Sequence, residues 1–113
     1  MRCLLRAKIH RATVTDADPD YVGSITIDED LLQRADIWPG ERVLVADVNN
    51  GARFETYAVS AEAGSGIVCV NGSAAKLVNK GDRVIIMAFE YTSSPIDAKV
   101  VLVDEENRYA GSL

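Results

Sequence analysis

Leu5, Ala7 and Ile9 alternate with Arg6, Lys8 and His10, and the run continues through Arg11 and Ala12 into Thr13-Val14-Thr15. A period of two predicts a first strand with Lys8 and His10 on one face. The segment from Asp16 to Asp20, with Pro19 in it, reads as a loop. Ile25-Thr26-Ile27 is a short strand, and Asp28 is placed to cap a helix whose apolar positions Leu31, Leu32 and Ala35 recur at helical spacing. Ile37-Trp38-Pro39-Gly40 ends it. Glu41 to Val48 is a further strand, and Asn50-Gly51 predicts a tight hairpin into a partner strand from Arg53 to Ala61. On that partner Arg53, Glu55, Tyr57 and Val59 point one way, and Phe54, Thr56 and Ala58 the other. Ile67 to Val70 is apolar and β-branched enough for a buried strand, stopping at Asn71-Gly72. Ser73 is expected to cap a short helix over Ala74 to Val78. Gly81-Asp82 then turns the chain into Arg83 to Phe89, Ser93-Ser94-Pro95 breaks it, and Ala98 to Val103 forms a final strand. The polar tail from Asp104 is expected to be partly disordered.

A weak internal repeat underlies this order. Leu31-Leu32 leads to Gly40-Glu41-Arg42-Val43, and Leu77-Val78 leads to Gly81-Asp82-Arg83-Val84, each followed by an apolar strand. Two such units imply a pseudo-symmetric small barrel, mainly β with short helices, whose closure would remove exposed strand edges. Similar Gly-Asp turns occur in double-psi β-barrels.

Composition narrows the class. A chain of 113 residues, 48% hydrophobic, is expected to form a single domain around one modest core. A net charge of -5 argues against nucleic-acid binding, which needs a basic face to displace counterions. The start, Met1 to Arg6, carries no apolar run long enough for a signal peptide or membrane span, which places the expectation in the cytoplasm. Cys3 and Cys69 fit no metal or redox spacing and read as reduced, packed thiols.

The chemistry is concentrated in Asp20-Tyr21-Val22-Gly23-Ser24-Ile25-Thr26-Ile27-Asp28. Gly-Ser is an ordinary turn dipeptide. It also permits a reaction: a serine hydroxyl directly after glycine can attack the unshielded glycine carbonyl. The resulting ester at Ser24 can eliminate, cutting the chain and leaving dehydroalanine, which hydrolyses to a pyruvoyl group. Two residues do not choose between these readings. Similarly, Lys8 and His10 suit an exposed polar face or an anion pocket, and Asn71-Gly72 suits a turn with a helix cap or a set of donors.

Five motifs in register carry a resemblance: Lys8-Ile9-His10-Arg11-Ala12, Thr15-Asp16-Ala17-Asp18, Tyr21 to Asp28, Asn50-Gly51-Ala52-Arg53-Phe54-Glu55-Thr56-Tyr57-Ala58, and Val70-Asn71-Gly72-Ser73-Ala74. With them the chain resembles the aspartate 1-decarboxylases, small pyruvoyl-dependent enzymes that make β-alanine for pantothenate synthesis. The resemblance extends to about Tyr91. It implies a six-stranded double-psi β-barrel, self-cleavage between Gly23 and Ser24 into residues 1–23 and 24–113, and a covalent pyruvoyl cofactor derived from Ser24. It also implies L-aspartate as substrate and a homotetramer with active sites between subunits.

For individual residues the resemblance implies a pyruvoyl group at Ser24 and a proton donor at Tyr57. Arg53 would clamp a substrate carboxylate, and Thr56 would contact substrate and assist cleavage at Gly23. Asn71 and the amides of Gly72, Ser73 and Ala74 would supply donors, while Lys8 and His10 would add positive or donor character, from a neighbouring subunit. Because Thr56 and Tyr57 lie on opposite faces, a bulge or twist is expected where both reach one site. Pro19 stands where the family often has leucine, and Ser73 where it usually has alanine. Two other readings remain at this point: a non-catalytic barrel with Gly23-Ser24 intact, and a pyruvoyl enzyme of altered specificity.

Overall fold

The computed structural model describes residues 1–113. Nine strands and two short helices follow in the order β1 (Arg2–Thr13), β2 (Asp16–Asp18), β3 (Ser24–Asp28), α1 (Glu29–Ala35), β4 (Arg42–Asp47), β5 (Arg53–Ala61), β6 (Val68–Asn71), a 3-10 helix (Gly72–Leu77), β7 (Arg83–Thr92), β8 (Lys99–Val103) and β9 (Tyr109–Ser112). The strands form one sheet in the order β2-β6-β3-β5-β4-β7-β1-β8-β9. The chain is therefore mainly β with short helices.

The repeat seen in the sequence has a structural counterpart. β3 leads through α1 to β4, and β6 leads through the 3-10 helix to β7; β3 pairs antiparallel with β6, and β4 antiparallel with β7. Beyond β1 the chain hands over to the other flank. Val14 N–H donates to the Asp82 carbonyl, Gly81 N–H to the Val14 carbonyl and Thr15 N–H to the Val68 carbonyl, each at 2.8 Å, before β2 pairs parallel with β6. Two strands six positions apart in the sheet order, β1 and β2, are thus consecutive in the chain.

The core is built from Ile9, Ile25, Ile27, Val43, Val45, Val68, Val70, Val84 and Ile86, closed on one side by Leu31 and Leu32 of α1. β-branched side chains with few rotamers fill a pleated surface at low entropic cost. Asp28 caps α1 as its position suggested, accepting from Asp30 N–H at 2.9 Å, and its carboxylate also takes Gly64 and Gly66 N–H. One acidic side chain therefore ties the end of β3 to the β5–β6 turn.

Several expectations are corrected. Asp16–Asp18 is a strand, because parallel pairing with Cys69–Asn71 satisfies a backbone that local pattern assigned to a loop. The segment from Asp104 is ordered by pairing of β9 with β8 and by Asn107, which is buried. The Asn107 side chain accepts from Thr13 N–H at 2.7 Å and donates to the carbonyls of Thr13 and Gly66, both at 2.8 Å. Ser73 caps nothing: the helix is 3-10, begins at Gly72, and has Asn71 at its cap with no side-chain cap bond. The Asn50-Gly51 turn is wider than a two-residue hairpin, since the last ladder pair is Ala46 with Arg53. Asp47 organises that loop by accepting from Asn49 N–H at 2.8 Å and Asn50 N–H at 3.2 Å. In β1 the register shifts between Ile9 and Ala12, where Arg11 adopts φ 63°, so strict alternation stops there.

Candidate active site

Ser24 opens β3, and two ladders decide its neighbours. On one side it pairs with Asn71 of β6. On the other, Ile25 pairs with Ala58 in the parallel ladder to β5, which brings Tyr57 to the position beside Ser24. The Gly23-Ser24 bond lies at a boundary, with Tyr21, Val22 and Gly23 exposed and Ser24 only 4% exposed.

Asn71, 5% exposed, spends both amide protons on this strand pair. Its Nδ2 donates to Ser24 Oγ and to Thr26 Oγ1, each at 3.1 Å. Its Oδ1 accepts from the Cys69 thiol at 3.2 Å. Burial first, and then the Asp16 and Asp18 carboxylates, push the Cys69 thiol above its ordinary pKa, so it stays protonated and able to donate. Gly72 follows in the left-handed region at φ +79°, and a Cβ there would stand 2.6 Å from Gly23 Cα and 3.0 Å from Gly23 N. Only glycine admits that approach. Ser73 and Ala74 continue the 3-10 helix from this contact.

Arg53, Thr56 and Tyr57 lie on β5. Arg53 and Tyr57 share the outward face, Tyr57 being 41% exposed, and Thr56 is half-buried on the other. Four residues of strand separate Arg53 from Tyr57, about 13 Å at ordinary rise. Neither ladder of β5 contains a register shift, so the bulge considered for Thr56 and Tyr57 is absent and strand twist alone changes their directions. Arg42 stands opposite Tyr57 and pairs with Glu55 at 3.4 Å.

Lys8 and His10 are not brought to Ser24 by the sheet: β1 stands four positions from β3 in its order. Burial, followed by the charges of Lys8, Arg11 and Arg83, lowers the His10 pKa, keeping the imidazole neutral at pH 7. The chain contains no group of three or more His, Cys, Asp or Glu side chains able to hold a metal. No helix is long and apolar enough to cross a membrane.

Sequence reasoning missed Thr26 and the contact of Cys69 with Asn71. The signal for Thr26 was available, because positions 24 and 26 of one strand share a face. The same signal was available for Cys69 and Asn71, which lie two residues apart on β6.

The fold and site define a small, mainly β protein that buries a serine beneath a carboxamide donor, immediately behind an exposed glycine that rests against a second glycine. The sequence profile described as "Aspartate decarboxylase" matches residues 1–110. An aspartate 1-decarboxylase of Neisseria meningitidis is 58% identical over 111 residues, covering 95% of this chain and 87% of that protein. One of Acetivibrio thermocellus is 54% identical over 109 residues, covering 93% and 86%. The chain belongs to the aspartate decarboxylase family.

Proposed function

We propose that this chain cuts itself between Gly23 and Ser24 and then decarboxylates L-aspartate to β-alanine and CO2, feeding pantothenate synthesis in the cytoplasm. The observation that carries the reading is membership of the family together with Ser24 buried under Asn71 and Gly23 seated against Gly72.

Those contacts support the chemistry of cleavage. Ser24 Oγ attacks the Gly23 carbonyl carbon, the amide becomes an ester, and the Ser24 amine is freed. Asn71 Nδ2, already at Ser24 Oγ, offers a hydrogen bond to the charge that grows as the hydroxyl loses its proton. Thr56 supports the oxyanion formed on Gly23. Loss of the Ser24 α-proton expels the Gly23 carboxylate and leaves dehydroalanine; water then enters and ammonia leaves, giving the pyruvoyl group at the head of residues 24–113.

The site suits that group. Position 24 is shielded from bulk water, and Asn71 is a donor beside it. Once formed, the pyruvoyl group supplies an electrophilic carbonyl and an electron sink for the charge left when CO2 departs. The remaining work falls to side chains. Arg53 clamps the retained carboxylate with its planar fork, a geometry lysine lacks. The amides of Gly72, Ser73 and Ala74 supply donors to the substrate. Tyr57 delivers a proton to the carbon that lost its carboxylate.

Residues 1–113 act as one domain, a six-stranded double-psi β-barrel to which the repeated β3–α1–β4 and β6–helix–β7 units contribute four of the strands. Four copies assemble with sites between them. Exposed Trp38, Phe89 and Tyr91 offer apolar surface for such contacts, and a neighbouring copy supplies the Lys8 and His10 that the sheet holds away from Ser24.

Denaturing mass spectrometry tests the reading: fragments 1–23 and 24–113 are expected, the latter headed by pyruvoyl, together with CO2 release from L-aspartate. Folded, aspartate-consuming protein with serine intact at position 24 overturns it.

A further inference from the structure

Two cross-strand pairs lie side by side on one face of the β3–β6 ladder: Ser24 opposite Asn71, and Thr26 opposite Cys69. The Asn71 carboxamide is diagonal to Thr26 and meets three partners at once. Its two N–H bonds go to Ser24 Oγ and Thr26 Oγ1, and its oxygen takes the Cys69 S–H. Neither Thr26 nor Cys69 has a bond to Ser24.

We propose that Thr26 and Cys69 are positioning residues that hold the Asn71 carboxamide with its NH2 toward Ser24 Oγ, and so set the rate of self-cleavage. The proposal rests on the self-cleavage reading above. An asparagine side chain can turn over by half a turn, exchanging oxygen and nitrogen in nearly the same space. In the turned-over arrangement the carbonyl oxygen faces Ser24 Oγ and opposes the negative charge that cleavage builds there. The Cys69 thiol makes that arrangement costly, because it donates to the carboxamide oxygen and would face an NH2 instead, while Thr26 Oγ1, a hydroxyl able to accept or donate, anchors the carboxamide between the two strands. Because the Cys69 thiol keeps its proton at neutral pH, its preference is constant there. Ser24 and Asn71 are buried and Thr26 and Cys69 half-buried, so a partner lost to the Asn71 carboxamide is only partly replaced by water.

The test uses the full uncut chain, freshly purified, with cleavage followed by intact mass. Thr26→Val keeps the β-branched shape but removes the acceptor, and slows cleavage by about tenfold. Thr26→Ser, which restores a hydroxyl, stays within about twofold of the unsubstituted chain. Cys69→Ala slows cleavage by about threefold, whereas Cys69→Ser retains the donor and the rate. A second readout is independent of cleavage. In the Ser24→Ala chain, the Asn71 side-chain NH2 resonances are sharp and protected from exchange, and they lose protection when Thr26→Val and Cys69→Ala are added. Unaltered cleavage in Thr26→Val and Cys69→Ala, with unmoved Asn71 resonances, overturns the proposal. If the double variant does not fold, Thr26→Val alone decides. If the unsubstituted chain is never cut, the self-cleavage reading fails, and the Asn71 resonances alone decide the orientation.

Discussion

Gly23 Cα lies 2.6 Å from the place a Cβ on Gly72 would occupy, so Gly72 must be glycine for the backbone before Ser24 to pass, whereas a Cβ on Gly23 itself would meet nothing within 4 Å. Gly72→Ala is expected to push the Gly23 segment off β6 and to slow or block cleavage. It also forces a side chain into φ +79°, costing about 1–2 kcal/mol. Gly51→Ala is the control: its φ is +77° but nothing lies within 4 Å of its Cβ. A similar loss of stability with normal cleavage is expected there. Thermal denaturation and intact mass, measured on both variants, separate strain from collision.

Asn107 joins the last part of the chain to β1 and to the turn before β6. Asn107→Ala strands Thr13 N–H and two carbonyls, those of Thr13 and Gly66, in part-buried or buried places. The expected cost is about 3 kcal/mol in chemical denaturation. Unchanged stability would mean that the tail is dispensable to the folded core.

Asp47 is 2% exposed and one of its oxygens, Oδ2, has no hydrogen-bond partner. Burial first, and then the neighbouring Asp82, raise its pKa above that of an ordinary aspartate, while the amides of Asn49 and Asn50 oppose the rise. The folded state therefore holds this proton to higher pH than the unfolded chain. The stability this contributes is full below the ordinary aspartate range and is lost as pH rises through the raised value. Asp47→Asn keeps an oxygen for Asn49 and Asn50 and removes the buried charge. A higher melting temperature at pH 7 is expected, with a flatter profile on going from pH 4 to pH 7; a lower melting temperature at pH 7 would contradict it.

Tyr57 stands beside Ser24 only through the β3–β5 ladder. Tyr57→Phe should leave cleavage complete while lowering kcat by about 10²-fold or more, the usual worth of a placed proton donor. Arg53→Lys should act chiefly on KM, raising it by about tenfold through loss of the bidentate geometry. Steady-state kinetics on fully processed protein distinguishes the two. An uncut Tyr57→Phe chain would assign Tyr57 to processing instead.

Much of the site was legible because its residues sit in continuous motifs. Ser24 follows Gly23 directly, Arg53, Thr56 and Tyr57 share a strand, and Asn71 precedes Gly72. The contacts that give them meaning were not legible. The short helix begins at Gly72 as a 3-10 helix instead of after a Ser73 cap, with Gly72 entering at positive φ against Gly23, a segment almost fifty positions away. Asp16–Asp18 became a strand because β6 offered an edge, which no local pattern records. The tail became ordered because β9 pairs with β8 and Asn107 bonds three backbone groups of distant segments, Thr13 N–H and the carbonyls of Thr13 and Gly66.

Taken alone, the order of residues determined seven of the nine strands, all but β2 and β9, since a period of two and β-branched composition act over a few positions. It also determined the repeated units and the adjacent glycine and serine, since each is a local property of the chain. Tertiary structure decided which strands became neighbours and therefore which donor meets Ser24. Backbone hydrogen bonding and burial are satisfied between segments, and the energy of a cross-strand pair belongs to neither strand by itself.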